Sequence, residues 1–513
     1  MTLPSIPAPT AADPDIAAIA SATRTGDVPD WPMIVGGQQA SAVAGEWIDV
    51  INPGRKDVTI ARVPRAREAD ADRAVAAARA ALPGWRALHF TERQKALVAI
   101  AAALDEAAED LARLTAADTG NALRTQARPE SQLLVNLFRY FGGVAGEFKG
   151  DVLPAGDNQL QYTRREPLGV VAAILPWNSP LMIAGCKVPA ALAAGNTVVL
   201  KAAEDAPLTI LKLVEICGRF LPAGVLNVVT GYGPEIGEAL VQHRGVDKVS
   251  FTGSTAVGRH VGEVAGGRLS HFSLELGGKS PNIVFPDAAD GDAIDATVEG
   301  VLTAMRFTRQ GQSCTAGSRL FVHADIYDAF LDRLSSRVGA LTVGDPGEEV
   351  TDMGSIINAK QFSRVQGYVD EGRALPGARL ALDGAGKVPD GLNGFYAAPT
   401  IFAGADNTWR LAREEIFGPV LVAIPWRDRE EVIAMANDSH YGLAAYVWCR
   451  DLTAALDTAH RIESGWVQVN QGGGQVVGQS YGGYKESGIG REMSLEGALD
   501  AFTQIKQINV KLF

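Results

Sequence analysis

Short, largely apolar runs recur at Gly169–Leu175, Asn196–Leu200, Leu226–Val229 and Lys248–Thr252, and helical segments such as Leu181–Leu192 and Ala206–Phe220 lie between them. The runs lack the strict apolar/polar alternation of a strand with one wet face. They read as strands buried on both sides, and strands of that kind alternating with helices predict a parallel sheet covered by helices on each face. Such a sheet binds ligands at the carboxyl ends of its strands. Asn178, Lys201 and Ser254 fall at those ends.

The remainder of the 513 residues is too long for a single core, so two or more domains are expected. Ala71–Leu82 and Glu92–Leu104 are Ala-rich with charged residues at the polar positions, as in surface helices. A further helical stretch follows Thr119-Gly120. Gln159–Pro167 is extended and polar. Beyond Gly278 the mixed texture returns, with strands expected at Asn282–Phe285, Arg319–Val322 and Trp466–Asn470 and helices at Asp325–Val338 and Glu430–Ala436. Ala501–Phe513 alternates through Ile505, Ile508, Val510 and Leu512, the pattern of a terminal strand that pairs with another subunit. Residues 1–30 are rich in Ala, Pro, Ser, Thr and Asp and read as a flexible arm.

A formal net charge of −12 disfavours nucleic acid or an anionic membrane as partner. No apolar run approaches the length needed to span a bilayer, and the first thirty residues have neither the basic start nor the apolar core of a leader. The four cysteines, Cys186, Cys217, Cys314 and Cys449, form no CxxC and no Cys/His set with metal-ligand spacing. No metal site is expected, and a reducing compartment, the cytoplasm, is the expected location.

One of those cysteines carries chemistry. Cys314 lies in Gly311-Gln312-Ser313-Cys314-Thr315-Ala316-Gly317, a small turn that a substrate can reach. Glu275 lies in Leu274-Glu275-Leu276-Gly277-Gly278-Lys279, where a carboxylate on a Gly-flanked turn can act as base. A thiol and a carboxylate so exposed point to covalent catalysis through a thiohemiacetal or thioester. In Pro176-Trp177-Asn178-Ser179-Pro180 the Asn178 amide is held in a stiff turn, as an oxyanion donor needs. Phe251–Gly258, with Gly253 and Ser254, leaves a strand and opens a helix, where backbone amides and a hydroxyl favour an anion. Lys201 and Glu204 can bind the two hydroxyls of a ribose. Gly231-Tyr232-Gly233-Pro234-Glu235-Ile236-Gly237 has GxGxxxG spacing and a proline that removes a donor, so it reads as a tight turn into a helix.

Together with Glu415-Ile416-Phe417-Gly418-Pro419 and Gly482-Gly483-Tyr484-Lys485 through Gly490-Arg491-Glu492, these segments make the chain resemble the NAD(P)-dependent aldehyde dehydrogenases of the hydrolytic, non-acylating type, over roughly residues 45 to 505. The resemblance implies an α/β fold with a Rossmann-like cofactor domain (31–150 and 168–277), an α/β catalytic domain (278–490) and a small β oligomerisation element (151–167 and 491–513). It implies Cys314 as nucleophile, Glu275 as general base, and Asn178 with the Cys314 backbone amide as oxyanion hole. Lys187 and Glu492 match positions of a proton path behind the base. Lys201 and Glu204 would hold the adenosine ribose, Gly253 and Ser254 the pyrophosphate, and Glu415 the nicotinamide ribose. Phe417 and Trp177 would line the cofactor groove. The implied cofactor is NAD, since the Glu204 carboxylate repels a 2′-phosphate, with NADP as the alternative. The implied partners are an aldehyde and one or three further copies of the chain.

The chain departs from the family's usual residues at several places. Arg309 stands where many relatives carry Asn, Ala202 replaces Pro after Lys201, and Ser480-Tyr481 replaces Pro-Phe before Gly482. Ser179 and Cys186 take positions that often hold bulky aromatics in the substrate tunnel. With Ser313 and Thr315 beside the nucleophile they imply a roomy pocket and a bulky or aromatic aldehyde. The loop Gln471–Ser480 would form a mobile substrate mouth. The rival readings are an NADP-preferring or acylating semialdehyde dehydrogenase, against which Glu204 and Glu275 argue, and a catalytically silent binding or structural protein on the same fold.

Overall fold

The computed structural model describes residues 28–513 except 386, 387 and 389, together with Ile16 and Ile19. The expected arm at 1–30 therefore lies almost wholly outside the described residues. Ile16 and Ile19 are buried in the largest apolar core.

The four apolar runs form adjacent parallel strands, and a fifth strand, His271–Glu275, joins them. In spatial order these are Leu226–Val229, Thr197–Lys201, Val170–Ile174, Lys248–Thr252 and His271–Glu275. Every residue of Val170–Ile174 and Thr197–Lys201 is buried, which explains their unbroken apolar texture. The antiparallel hairpin Met33–Val35 and Gln38–Ala40 extends one edge, and Gly488–Ile489 closes the other.

The chain builds this sheet outward from Val170–Ile174 first to one side and then to the other. Strand order therefore reverses between Val170–Ile174 and Lys248–Thr252. That reversal parts the crossover helices and opens a crevice at the carboxyl ends. Pro180–Ala194 is a helix buried along its whole length, packed between this sheet and the helix Arg128–Gly143. Glu130 of the outer helix fixes its start: Glu130 Oε1 accepts the N–H groups of Leu181 at 2.9 Å and Met182 at 3.2 Å. A carboxylate there satisfies amides that have no partner inside the helix.

A second sheet runs Arg379–Leu382, Thr400–Ala403, Val420–Trp426, Arg319–His323, Pro281–Val284, Ala444–Trp448 and Trp466–Val469, parallel except at its first pairing. The three strands expected in this half are all present, as are the helices Tyr327–Gly339 and Arg429–Asn437. Gln159–Pro167 and Thr503–Lys511 pair antiparallel along their full length, with Val152–Leu153 on the outer edge. This three-stranded sheet is separate from the other two, and Val152 (73%) and Ile505 (62%) are exposed on it. No helix among the described residues is long and apolar enough to cross a membrane.

Candidate active site

The carboxyl ends of the first sheet meet the amino ends of the second. Val170–Ile174 delivers Trp177 and Asn178, Thr197–Lys201 delivers Lys201, and Lys248–Thr252 delivers Gly253 and Ser254. Glu275, read from sequence as a turn residue, is the last residue of His271–Glu275. Cys314 sits on the loop that enters Arg319–His323. Glycine is required where these loops touch. A Cβ on Gly278 would lie 2.3 Å from the Cys314 carbonyl oxygen, and one on Gly277 would lie 2.6 Å from Glu415 Oε2. The Cys314 loop is itself contorted, with Arg306 and Gln310 in the left-handed region at φ 60° and 53°. Such conformations persist only where surrounding packing holds them.

Asn178 reaches this loop directly. Its Nδ2 donates to the Gln312 carbonyl at 3.0 Å, and its own carbonyl accepts from Asn121 Nδ2 at 3.0 Å. One amide hydrogen of Asn178 remains uncommitted. The Cys314 backbone N–H donates to no acceptor among the described residues. An amide hydrogen and a backbone N–H are thus available on and against the Cys314 loop, the kind of donors an oxyanion site requires.

Cys314 is partly exposed, whereas Cys186, Cys217 and Cys449 are buried. Burial pushes the Cys314 thiol up to about 11, against the Tyr481 hydroxyl, which pulls it down. Glu275 is 4% exposed, and its Oε2 has no hydrogen-bond partner among the described residues. Burial first, and then the Glu492 carboxylate, drive its carboxyl well above the usual range; Lys187 and Arg491 oppose them. Behind it, Lys187 Nζ lies 2.5 Å from Glu492 Oε1 and donates to Ser250 Oγ at 3.0 Å. The two proton-path candidates are therefore a buried ion pair.

The cofactor candidates sit at or just beyond strand ends of the two sheets. Lys201 Nζ is 2.6 Å from Glu204 Oε2. Ser254 caps the helix Thr255–Gly267, its Oγ accepting the Val257 N–H at 3.4 Å, so its hydroxyl hydrogen stays free to donate. Glu415 Oε1 accepts the Gly278 N–H at 3.0 Å, and burial lifts the carboxyl to about 7. Phe417 is held at φ 60°, unusual for an aromatic, by Gln361 Nε2 donating to the Phe417 carbonyl at 2.8 Å. The ring meets Trp177 edge to face, with centroids 5.3 Å apart. A Lys–Glu pair at a strand end, a capped helix start and an aromatic wall fit a dinucleotide.

Of the four expected pocket residues, Ser313 borders a small cavity together with Glu415 and Phe417. Ser179 and Cys186 are buried, and the Ser179 hydroxyl accepts from Arg309 Nη1 at 2.7 Å. Arg309 Nε also donates to Gln126 Oε1 at 2.7 Å. A guanidinium therefore lies against the small residue at 179. Ser313 and Thr315 are buried as well, their hydroxyls 3.1 Å apart. The expected mobile mouth is tied at its start, where Arg306 donates to the carbonyls of Gly472 and Gly473. Tyr481, which from sequence was only a departure from pattern, has its hydroxyl 3.5 Å from Cys314 Sγ.

The family model described as "Aldehyde dehydrogenase family" matches residues 40–508. The chain belongs to the aldehyde dehydrogenase family. It is 42% identical over 496 residues to a hydroxyisobutyraldehyde dehydrogenase from Mycolicibacterium austroafricanum, covering 96% of this chain and 95% of that one. It is 39% identical to an aldehyde dehydrogenase from Alternaria alternata, covering 94% and 95%. Among solved structures it is similar to the NAD+ complex of an aldehyde dehydrogenase from Bacillus cereus, with a TM-score of 0.91 at 36% identity over 98% of this chain and 99% of that one. Family membership agrees with the α/β fold and with an oxidoreductase acting on aldehydes.

Proposed function

We propose that the protein oxidises an aldehyde to its carboxylic acid with NAD, using Cys314 as nucleophile and Glu275 as the base that activates water. What supports this reading is that Glu275 lies close enough to Cys314 to act on its charge, that the Asn178 amide donates to the Cys314 loop, and that Trp177, Lys201, Glu204, Gly253 and Ser254 follow strand ends of one sheet while Glu415 and Phe417 precede a strand of the other. When bound, the cofactor supplies the hydride acceptor that turns a thiohemiacetal into a thioester. The chain's own residues do the rest. Cys314 Sγ as thiolate attacks the carbonyl carbon, and the electron pair moves to oxygen, where the free Asn178 hydrogen and the Cys314 N–H receive it. Glu275, once deprotonated, takes a proton from water, whose oxygen adds to the thioester; the acid departs and the thiolate returns. Lys187 and Glu492 lie behind Glu275 and bias its proton affinity in opposite directions.

The Glu204 carboxylate beside Lys201 favours NAD over NADP, and Glu275 favours hydrolysis over acyl transfer to a thiol carrier. The free thiols fit the cytoplasm. The exposed apolar residues of the three-stranded sheet support assembly into a homodimer or homotetramer. The test is NADH formation across a panel of aldehydes, repeated with Cys314→Ala and Glu275→Ala. The first variant should be inactive and the second should release one burst of NADH and then stall. Full steady-state turnover by Cys314→Ala would overturn the mechanism.

A further inference from the structure

Tyr481 follows Cys314 by 167 positions, yet its Oη is 3.5 Å from the nucleophilic sulfur. Among the described residues it is the one hydrogen-bond partner of that sulfur. The side chain is 3% exposed, so the contact is not a surface accident. Its ring packs edge to face on Trp466, with centroids 6.0 Å apart. Its backbone exchanges two hydrogen bonds with Glu492: Tyr481 N–H to the Glu492 carbonyl at 3.1 Å, and Glu492 N–H to the Tyr481 carbonyl at 2.7 Å. The next residue, Gly482, approaches the base so closely that a Cβ there would lie 3.0 Å from Glu275 Oε1. One short segment therefore touches the nucleophile, the base and the buried ion pair.

We propose that the Tyr481 hydroxyl is a catalytic hydrogen-bond donor to the Cys314 thiolate, holding the sulfur charged and aimed for attack. This rests on Cys314 being the nucleophile. In the thiol state either atom can donate. Once the thiol proton has left to water, only the phenol O–H can, and a hydrogen bond to an ionised partner is the stronger kind. The other groups facing Cys314 are the Glu275 and Glu415 carboxylates, which oppose the thiolate, the Arg309 guanidinium, which favours it, and the Cys186 thiol and Tyr446 phenol. Tyr481 exceeds Arg309 as the favouring influence. Burial, with Cys314 and Glu275 close by, drives the Tyr481 phenol well above its ordinary range, so it stays a donor wherever the enzyme works.

The test reads the sulfur itself. Full-length enzyme is alkylated with iodoacetamide across pH, with Cys314→Ala giving the background from the other cysteines. In Tyr481→Phe the inflection for Cys314 should rise by about one pH unit, with alkylation about tenfold slower at neutral pH and the high-pH plateau kept. Under the same conditions kcat/KM for the aldehyde should fall in proportion while KM for NAD is unchanged, a split that loss of packing would not give. Replacing Tyr481 by 3-fluorotyrosine, a stronger donor of nearly the same shape, should move the inflection down. An inflection unmoved or lowered in Tyr481→Phe would overturn the proposal. Should that variant not fold, an inflection unmoved or raised by 3-fluorotyrosine overturns it instead. Failure of the nucleophile reading is a different result, namely turnover by Cys314→Ala.

Discussion

Replacing Lys187 by Met would strand a carboxylate in the interior. Lys187 and Glu492 have side chains 1% and 3% exposed, and their charged atoms are 2.5 Å apart. The second oxygen of Glu492 already lacks a partner among the described residues, and the Glu275 carboxyl is close enough for the two to repel. Methionine refills most of the lysine stem, so the packing loss is small. The cost is electrostatic: removing one member of a buried pair costs about 3–5 kcal/mol, because the survivor keeps its desolvation penalty. Lys187→Met and Glu492→Gln should each lower the guanidinium midpoint by that much stability. The double variant, with neither charge, should recover all but about 1–2 kcal/mol. Lys187 also restrains the upward shift of Glu275, so its loss should move the rising limb of thioester hydrolysis to higher pH. A single-variant cost below about 1 kcal/mol, or a double variant no more stable than either single one, would refute the idea that the pair is buried and mutually dependent.

Other consequences are as direct. Because the native Glu275 holds a proton that the unfolded chain releases, its contribution to stability declines as pH rises above about 4.3, the unfolded carboxyl value. Glu275→Gln should therefore melt higher than the parent at neutral pH and equally near pH 4, while losing steady-state turnover; a melting point lower at neutral pH would contradict this. Glu204→Ser removes the carboxylate beside Lys201 and should raise the NADP-to-NAD ratio of kcat/KM by about tenfold, measured by initial rates with each cofactor. Ile505→Asp places a charge on the exposed three-stranded sheet and should lower the assembled mass in sedimentation velocity while the subunit's circular dichroism stays unchanged.

Much of the fold was legible because burial on both faces leaves an unmistakable texture. Val170–Ile174 and Thr197–Lys201 have no polar alternation to hide, and their ends point to Asn178 and Lys201 directly. His271–Glu275 escaped notice because it begins with an exposed histidine and a half-buried phenylalanine. Gly488–Ile489 escaped because two residues carry no periodicity. In the site, Cys314 and Glu275 were readable from their glycine-flanked turns. The Lys187–Glu492 pair spans 305 positions. Its one sequence signal is a single charge in an otherwise apolar helix, which demands a buried partner without naming it. The neighbour of Ser179 was not legible, because a short side chain says nothing about which long one will lie against it. Arg309, 130 positions away, is that neighbour.

The two-residue strand Gly488–Ile489 comes from the segment that also carries Tyr481 and Glu492, yet it pairs with Leu274 and Glu275 in the other sheet. A Cβ on Gly488 would lie 2.3 Å from the Leu274 carbonyl oxygen, so the stitch is drawn tight. The segment that carries Tyr481 and Glu492 is therefore tied to Glu275 by backbone pairing. A hinge between the two sheets would have to break this pairing at Glu275. The backbone that positions Glu275 and the backbone that carries Tyr481 and Glu492 thus form one continuous frame.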